Sequence, residues 1–140
     1  RLSALPKEYP IASSDGIAAI KGFNTMDINI IRESITKKKL EEIAQNQFGD
    51  FVKAVVDIER KIMAIGGELH ADAEAILLAD GSRQEDVWGI NLYPDTSARE
   101  LIEFNSMINI RPSLGNRSRG VENPALQGKI REVVKALVIV

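Results

Sequence analysis

The chain contains no cysteine, one histidine and one tryptophan in 140 residues. Without a thiol there is no disulfide, no cysteine-ligated iron–sulfur cluster, no thiolate zinc site and no cysteine nucleophile. A lone imidazole cannot build a histidine-rich metal site within one chain. It can also serve at most one hydroxyl as a base, so Ser82, Ser113 and Ser118 are not read as nucleophiles. Long apolar runs are missing too: none approaches the roughly 18 residues that a membrane-spanning helix needs. The first residues lack the basic-then-apolar pattern of a secretory signal, so a cytoplasmic protein without membrane association is expected. No sign of charge dominates, because 18 Lys and Arg stand against 20 Asp and Glu. A balance of this kind does not coat nucleic acid, which is not expected as a partner. What remains is a chain 44% apolar, long enough for one domain with a proper core and a short tail.

Residues 1–25 keep neither a two-residue nor a 3.6-residue period for long and contain Pro6, Pro10, Gly16 and Gly22. They read as a loosely structured arm, native or a terminal extension, before a single domain over residues 26–140. From Asp27, INIIRE reads as a strand. Thr36 then caps a helix whose Ile35 and Leu40 form a hydrophobic staple and whose apolar face carries Leu40, Ile43, Ala44 and Phe48, with Gly49 as its stop. Lys37, Lys38 and Lys39 in its first turn read as a solvated face or as an anion site above the helix end. FVKAVVDIE and IMAIGGELHADAE form a hairpin around Arg60 and Lys61, with Gly66-Gly67 marking a bulge or a close backbone approach. AILLADGSRQEDVWGINLYPD reads as a second hairpin about Asp80-Gly81, although helix formers over residues 72–80 leave a short helix as the alternative. IEFNSMINIRP reads as a strand ended by Pro112. After a polar loop, Asn123 and Pro124 open a last helix with Leu126, Ile130, Val133, Val134 and Leu137 on one face. The expected fold is α+β: a mostly antiparallel sheet of about five strands with two helices packed on one face.

Alternation over an extended stretch from residue 68 to 74 places Glu68, His70, Asp72 and Glu74 on one face. The same alternation puts Glu103, Asn105, Met107, Asn109 and Arg111 together, and Asn91 with Tyr93. Short Asp and Asn side chains are poor strand formers, so a polar surface rich in them suggests a binding face. His70, Asp72 and Glu74 could supply nitrogen and oxygen ligands to a divalent ion such as Mg²⁺ or Mn²⁺; no other cofactor is implied. The alternative is a polar layer in which these groups hydrogen-bond to one another and to Arg111. The loop RPSLGNRSRG offers Arg111, Asn116, Arg117 and Arg119 to a phosphate or carboxylate, or pairs those arginines with the surface's own acids. No phosphate-loop lysine, G-x-G-x-x-G or G-x-S-x-G occurs. Trp88 reads as core and Tyr93 as rim.

The runs GGELHADAE, DGSRQEDVWGINLYP and SMINIRPSLGNRSRG, with the closing NPALQGKIREVVKAL, resemble a small prokaryotic family of unknown function, domain of unknown function 5674. The resemblance covers roughly residues 26–138 and omits the arm. It implies a single-domain cytoplasmic protein and transfers no catalytic role to any position.

These readings lead to a non-enzymatic module that holds a small anionic ligand or a protein partner through the polar face and the arginine loop. The candidate ligand-binding residues are His70, Asp72, Glu74, Asn91, Asn105, Asn109, Arg111, Asn116, Arg117 and Arg119. The alternative is a metal-assisted hydrolase or phosphotransfer enzyme in which Asp72 and Glu74 position the metal and His70 acts as acid–base or ligand. An open sheet of this size also leaves edge strands that a homodimer would cover.

Overall fold

Strand alternation sets the frame. The computed structural model describes residues 27–97 and 99–140; the expected arm over residues 1–25 and the expected start at Met26 lie outside them. Five strands make one antiparallel sheet: β1 (Ile28–Ile31), β3 (Val52–Asp57), β4 (Ile62–Gly66), β5 (Val87–Leu92) and β6 (Ile102–Glu103), in the order β1-β4-β3-β5-β6. Two short segments, β2 (Ile35–Thr36) and β7 (Val138–Ile139), pair in parallel. The helices are α1 (Lys37–Asn46), α2 (His70–Ala79) and α3 (Pro124–Leu137).

Val52, Ala54 and Val56 of β3, with Met63, Ile65, Trp88, Ile90 and Leu92 of its neighbours, point to one face. Leu40 and Ala44 of α1 and Ile130, Val133, Val134 and Leu137 of α3 close over them. Val55, Ile62, Ala64 and Val87 point the opposite way and meet Ala73 and Leu77 of α2. Burying such side chains on both faces is the main stabilising term, at about 1.5–3 kcal/mol for each large one. The α+β class therefore holds, and the two expected helices share a face. The third helix covers the other face.

That third helix corrects the extended reading of residues 68–74 and the hairpin about Asp80-Gly81. Gly66 and Gly67 take φ of +104° and +81°, which ends β4. A side chain at Gly66 would collide with the Asp27 carbonyl oxygen, so the pair marks a close backbone approach and a strand end. Released from the sheet, HADAEAILLA follows its alanine-rich helix propensity, and Asp72 sits in the first turn where the macrodipole favours it. At the far end Gly81 N–H donates to Leu78 O (3.1 Å) and Ser82 N–H to Leu77 O (2.9 Å), the Schellman pattern. Asp80 then accepts from Arg32 and Arg60, each at 2.7 Å, and these two guanidinium groups hold its carboxyl below the usual carboxylate range. The other helix signals stand. Thr36 Oγ1 accepts from Lys39 N–H at 3.0 Å and Asn123 Oδ1 from Ala125 N–H at 2.8 Å. Lys39 pairs with Glu42 at 3.6 Å, and Lys37 reaches Thr96.

The expected strand over IEFNSMINIRP is also corrected, since only Ile102–Glu103 pairs with β5. Ser106 Oγ captures Ile108 N–H (3.2 Å) and turns the chain into a 3-10 turn at Met107–Asn109. The outer edge of β5 is completed by a side chain instead. Asn109 Oδ1 accepts from Gly89 N–H (2.8 Å), and Asn109 Nδ2 donates to Gly89 O (3.0 Å) and Arg119 O (2.9 Å). A Cβ at Gly89 would sit 2.5 Å from Ser106 Cβ, so only glycine admits this approach. Removing the Asn109 amide strands a buried N–H, and each such group costs about 1–3 kcal/mol. Asn109→Ala is accordingly expected to lower the unfolding free energy by about 3 kcal/mol in urea titration. A loss below about 0.5 kcal/mol would contradict the role given to this amide.

Candidate functional site

Strand register lays a row of polar side chains across the α2 face of the sheet. Lys53 pairs with Asn91 and Asn91 with Glu103, so a cation, an amide and a carboxylate stand side by side. Helix α2 begins only at His70 and leaves this row uncovered. A cavity of about 430 Å³ opens there, floored by Lys53, Asn91 and Glu103. Leu69, His70 and Ala71 at the helix start form one wall. Ser106, Met107 and Ile108 of the 3-10 segment form another, with Asn105 and Arg119 beside them; Phe51 and Tyr93 complete the lining.

The start of α2 is uncapped: Leu69 occupies the N-cap position and has no side-chain hydrogen bond to give. The first N–H groups of a helix have no intrahelical partner, and the macrodipole adds a partial positive charge there. Lys53 and Arg119 bring full charges to the same cavity. Arg119 Nε donates to Asn105 Oδ1 at 2.9 Å, which orients its guanidinium. Buried His70 holds Nε2 2.7 Å from the Ile90 carbonyl oxygen, so that nitrogen carries the proton. Burial lowers the His70 pKa below its ordinary 6.5, against hydrogen bonds to the Ile90 carbonyl and the Asn91 side chain, and Lys53 and Arg119 lower it further. The ring is neutral at pH 7, which leaves Nδ1 as an acceptor.

The floor carries acceptors as well. Glu103 Oε1 accepts from Asn91 Nδ2 (2.9 Å) and from the Tyr93 hydroxyl (3.2 Å), while Arg99 lies 3.5 Å from Oε2. Burial and the Glu103 charge raise the Tyr93 pKa, so the phenol keeps the proton it donates. Asn91 is 7% exposed, and its side chain lies in hydrogen-bonding reach of the buried His70 ring.

Of the residues expected from sequence, His70, Asn91, Asn105 and Arg119 meet at this cavity. The others are placed elsewhere. Glu74 bonds Arg111 at 3.2 Å with side chains 13% and 10% exposed. Arg111 also donates to the carbonyls of Gln84 and Val87 and lies 4.7 Å over the Trp88 ring. Asn109 and Asn116 brace backbone: Asn116 Nδ2 donates to the carbonyls of Asn109, Ser118 and Gly120. Arg117 is exposed, and its backbone N–H bonds Glu122. The expected metal set is corrected by the helix. Successive helical residues turn by about 100°, so His70, Asp72 and Glu74 cannot share one face. Among the described residues no three His, Cys, Asp or Glu side chains are grouped to hold an ion.

Sequence reasoning missed Lys53 and the backbone of the α2 start, and it named Glu103 only as part of a polar surface. In VKAVVD a lysine two residues before a buried valine was the readable sign that one sheet face changes from wet to dry along its length. Backbone N–H groups leave no such mark.

A family model described as a protein of unknown function (DUF5674) matches residues 29–137. No curated protein and no solved structure gives a significant match.

The lowered pKa of His70 has a consequence for stability. Between the ordinary 6.5 and the lower folded value, the unfolded chain binds a proton that the folded one refuses. Stability is therefore full above pH 6.5 and falls as pH drops through this window. Urea titrations from pH 7.5 to 5.5 (pH values set by the experimenter, about one unit either side of a free imidazole) are expected to show this decline in the wild type. His70→Gln should flatten it, and an unchanged slope would contradict the assignment.

Proposed function

The chain belongs to the DUF5674 family, and from that premise, which carries no activity, we propose a non-enzymatic module that binds a small molecule bearing an anionic group. The anionic end docks at the start of α2, between Lys53 and Arg119. The observation that carries this reading is an uncapped helix N-terminus opening onto a 430 Å³ cavity whose floor and rim each supply a cation. Orphan N–H groups together with a helix dipole make an anion site without further chemistry, and a guanidinium adds a planar donor pair for carboxylate or phosphate. The volume lies within the range of small-ligand sites, roughly 300–1,000 Å³.

Isothermal titration with small carboxylates, phosphates, nucleotides and amino acids tests the proposal. At least one member is expected to give saturable heat. Arg119→Ala should weaken it about tenfold or more, the loss of one charge-assisted hydrogen bond. Arg117→Ala, whose side chain lies outside the cavity, should leave it unchanged. Absence of heat from every member, or equal binding by wild type and Arg119→Ala, would overturn the reading.

A further inference from the structure

Two oxygen acceptors face the one imidazole of the chain. His70 Nε2 stands 2.7 Å from the Ile90 carbonyl oxygen. The Asn91 side chain also lies in hydrogen-bonding reach of the ring, and its Nδ2 is given to Glu103 Oε1 at 2.9 Å, so the carboxamide oxygen is the end left for His70. A neutral imidazole has one N–H and serves one acceptor, whereas an imidazolium has two and serves both. The hydrogen-bonding surroundings thus suit the charged ring, yet everything else keeps it neutral. His70 is 8% exposed, and Lys53 from β3 and Arg119 from the loop before α3 bring positive charge to the same cavity.

The remaining charged groups around the ring leave that opposition in place. Glu103 of β6 is engaged by Asn91, Tyr93 and Arg99, and Glu74, one turn along α2, is held by Arg111. Tyr93 of β5 keeps its proton, its pKa raised by burial and by Glu103. Asp72 is turned about 200° round the helix from His70, and Glu68 is exposed to water. Besides burial, the charges that exclude a proton from His70 are therefore the two cations that an anion in the cavity neutralises.

Resting on the reading above, we propose that anion binding in this cavity is coupled to the uptake of one proton by His70. An anion seated between Lys53 and Arg119 cancels the repulsion that keeps the proton out. Nδ1 then takes a proton from solvent and donates it to Asn91 Oδ1, and the imidazolium adds a third positive charge beside the anion. Linkage is reciprocal, so proton and anion favour each other by the same factor, and the cavity holds its anion more tightly as pH falls.

The chain has a single histidine, so its ring gives one NMR titration curve, recorded on the whole untagged chain. Sulfate is the probe, because its charge does not change over the titration. Saturating sulfate is expected to raise the His70 midpoint by about one pH unit. Calorimetry should then show sulfate binding severalfold tighter at about pH 5.5 than at about pH 7.5, toward the roughly tenfold limit that one unit sets. His70→Gln should bind sulfate without this rise, and the ring titration of the wild type decides the matter even if the variant folds poorly. Sulfate that binds, and is weakened by Arg119→Ala, while the His70 midpoint stays in place would overturn the coupling and leave the anion site standing. Silence from sulfate in both measurements would overturn the coupling, and the anion site with it when the carboxylates, phosphates, nucleotides and amino acids are silent too.

Discussion

A single carboxamide stands where the sheet lacks a strand. Strand β5 has β3 along one side, but β6 reaches it only at Asn91 and Leu92. The remaining edge would present bare peptide groups, and a buried peptide group without a partner costs as much as several ordinary contacts contribute. Asn109 answers with both ends of its amide, one to each polar group of Gly89, and its nitrogen also holds the carbonyl of Arg119. Asn116 then bonds the Asn109 carbonyl and two more carbonyls in the following turn. Sheet edge, 3-10 segment and arginine loop are therefore one connected hydrogen-bond network, and the cavity's outer wall is built on it.

The cavity itself follows from a mismatch of lengths. Strands β3 and β5 run six residues each, and α2 covers the end of their inner face that carries Val55 and Val87. The other end holds Lys53 and Asn91, and the helix starts beside them rather than over them. Helix α2 is fastened at its far end by the Asp80 carboxylate to Arg32 and Arg60, and midway by the Glu74–Arg111 pair. Near the cavity its side-chain tie is the His70 imidazole on the Ile90 carbonyl. Polar groups are thus concentrated where apolar packing stops, as sheet chemistry requires of a face that is half dry and half wet.

Much of the scaffold was legible in the residues. The β3–β4 hairpin, the capped helices α1 and α3, the burial of Trp88 and the α+β class all follow from periodicity and caps. The candidate site was less so, and the reason lies in two segments. Residues 68–74 alternate like a strand, yet the Gly66-Gly67 turn removes them from the sheet, and alanine-rich propensity then decides. Residues 104–111 alternate as well, but Ser106 and Asn109 spend their side chains on backbone and end the extended run. Short polar residues were rightly read as fixed by something. Asn109, Asn116 and Arg111 turned out to be fixed by the chain's own carbonyls, which no spacing rule distinguishes from a ligand. His70, Asn91, Asn105 and Arg119 survive as neighbours because register and loop closure bring them together from four separate elements.

Among the described residues, Gly66 and Gly89 are glycines at which one backbone or side chain lies against another with no room for a methyl group. Neither glycine lines the cavity, yet the turn into α2 and the seat of the 3-10 segment depend on them. A side chain at either of those positions would displace the backbone around it, whereas Leu69 and Met107, 57% and 64% exposed, carry little of the packing.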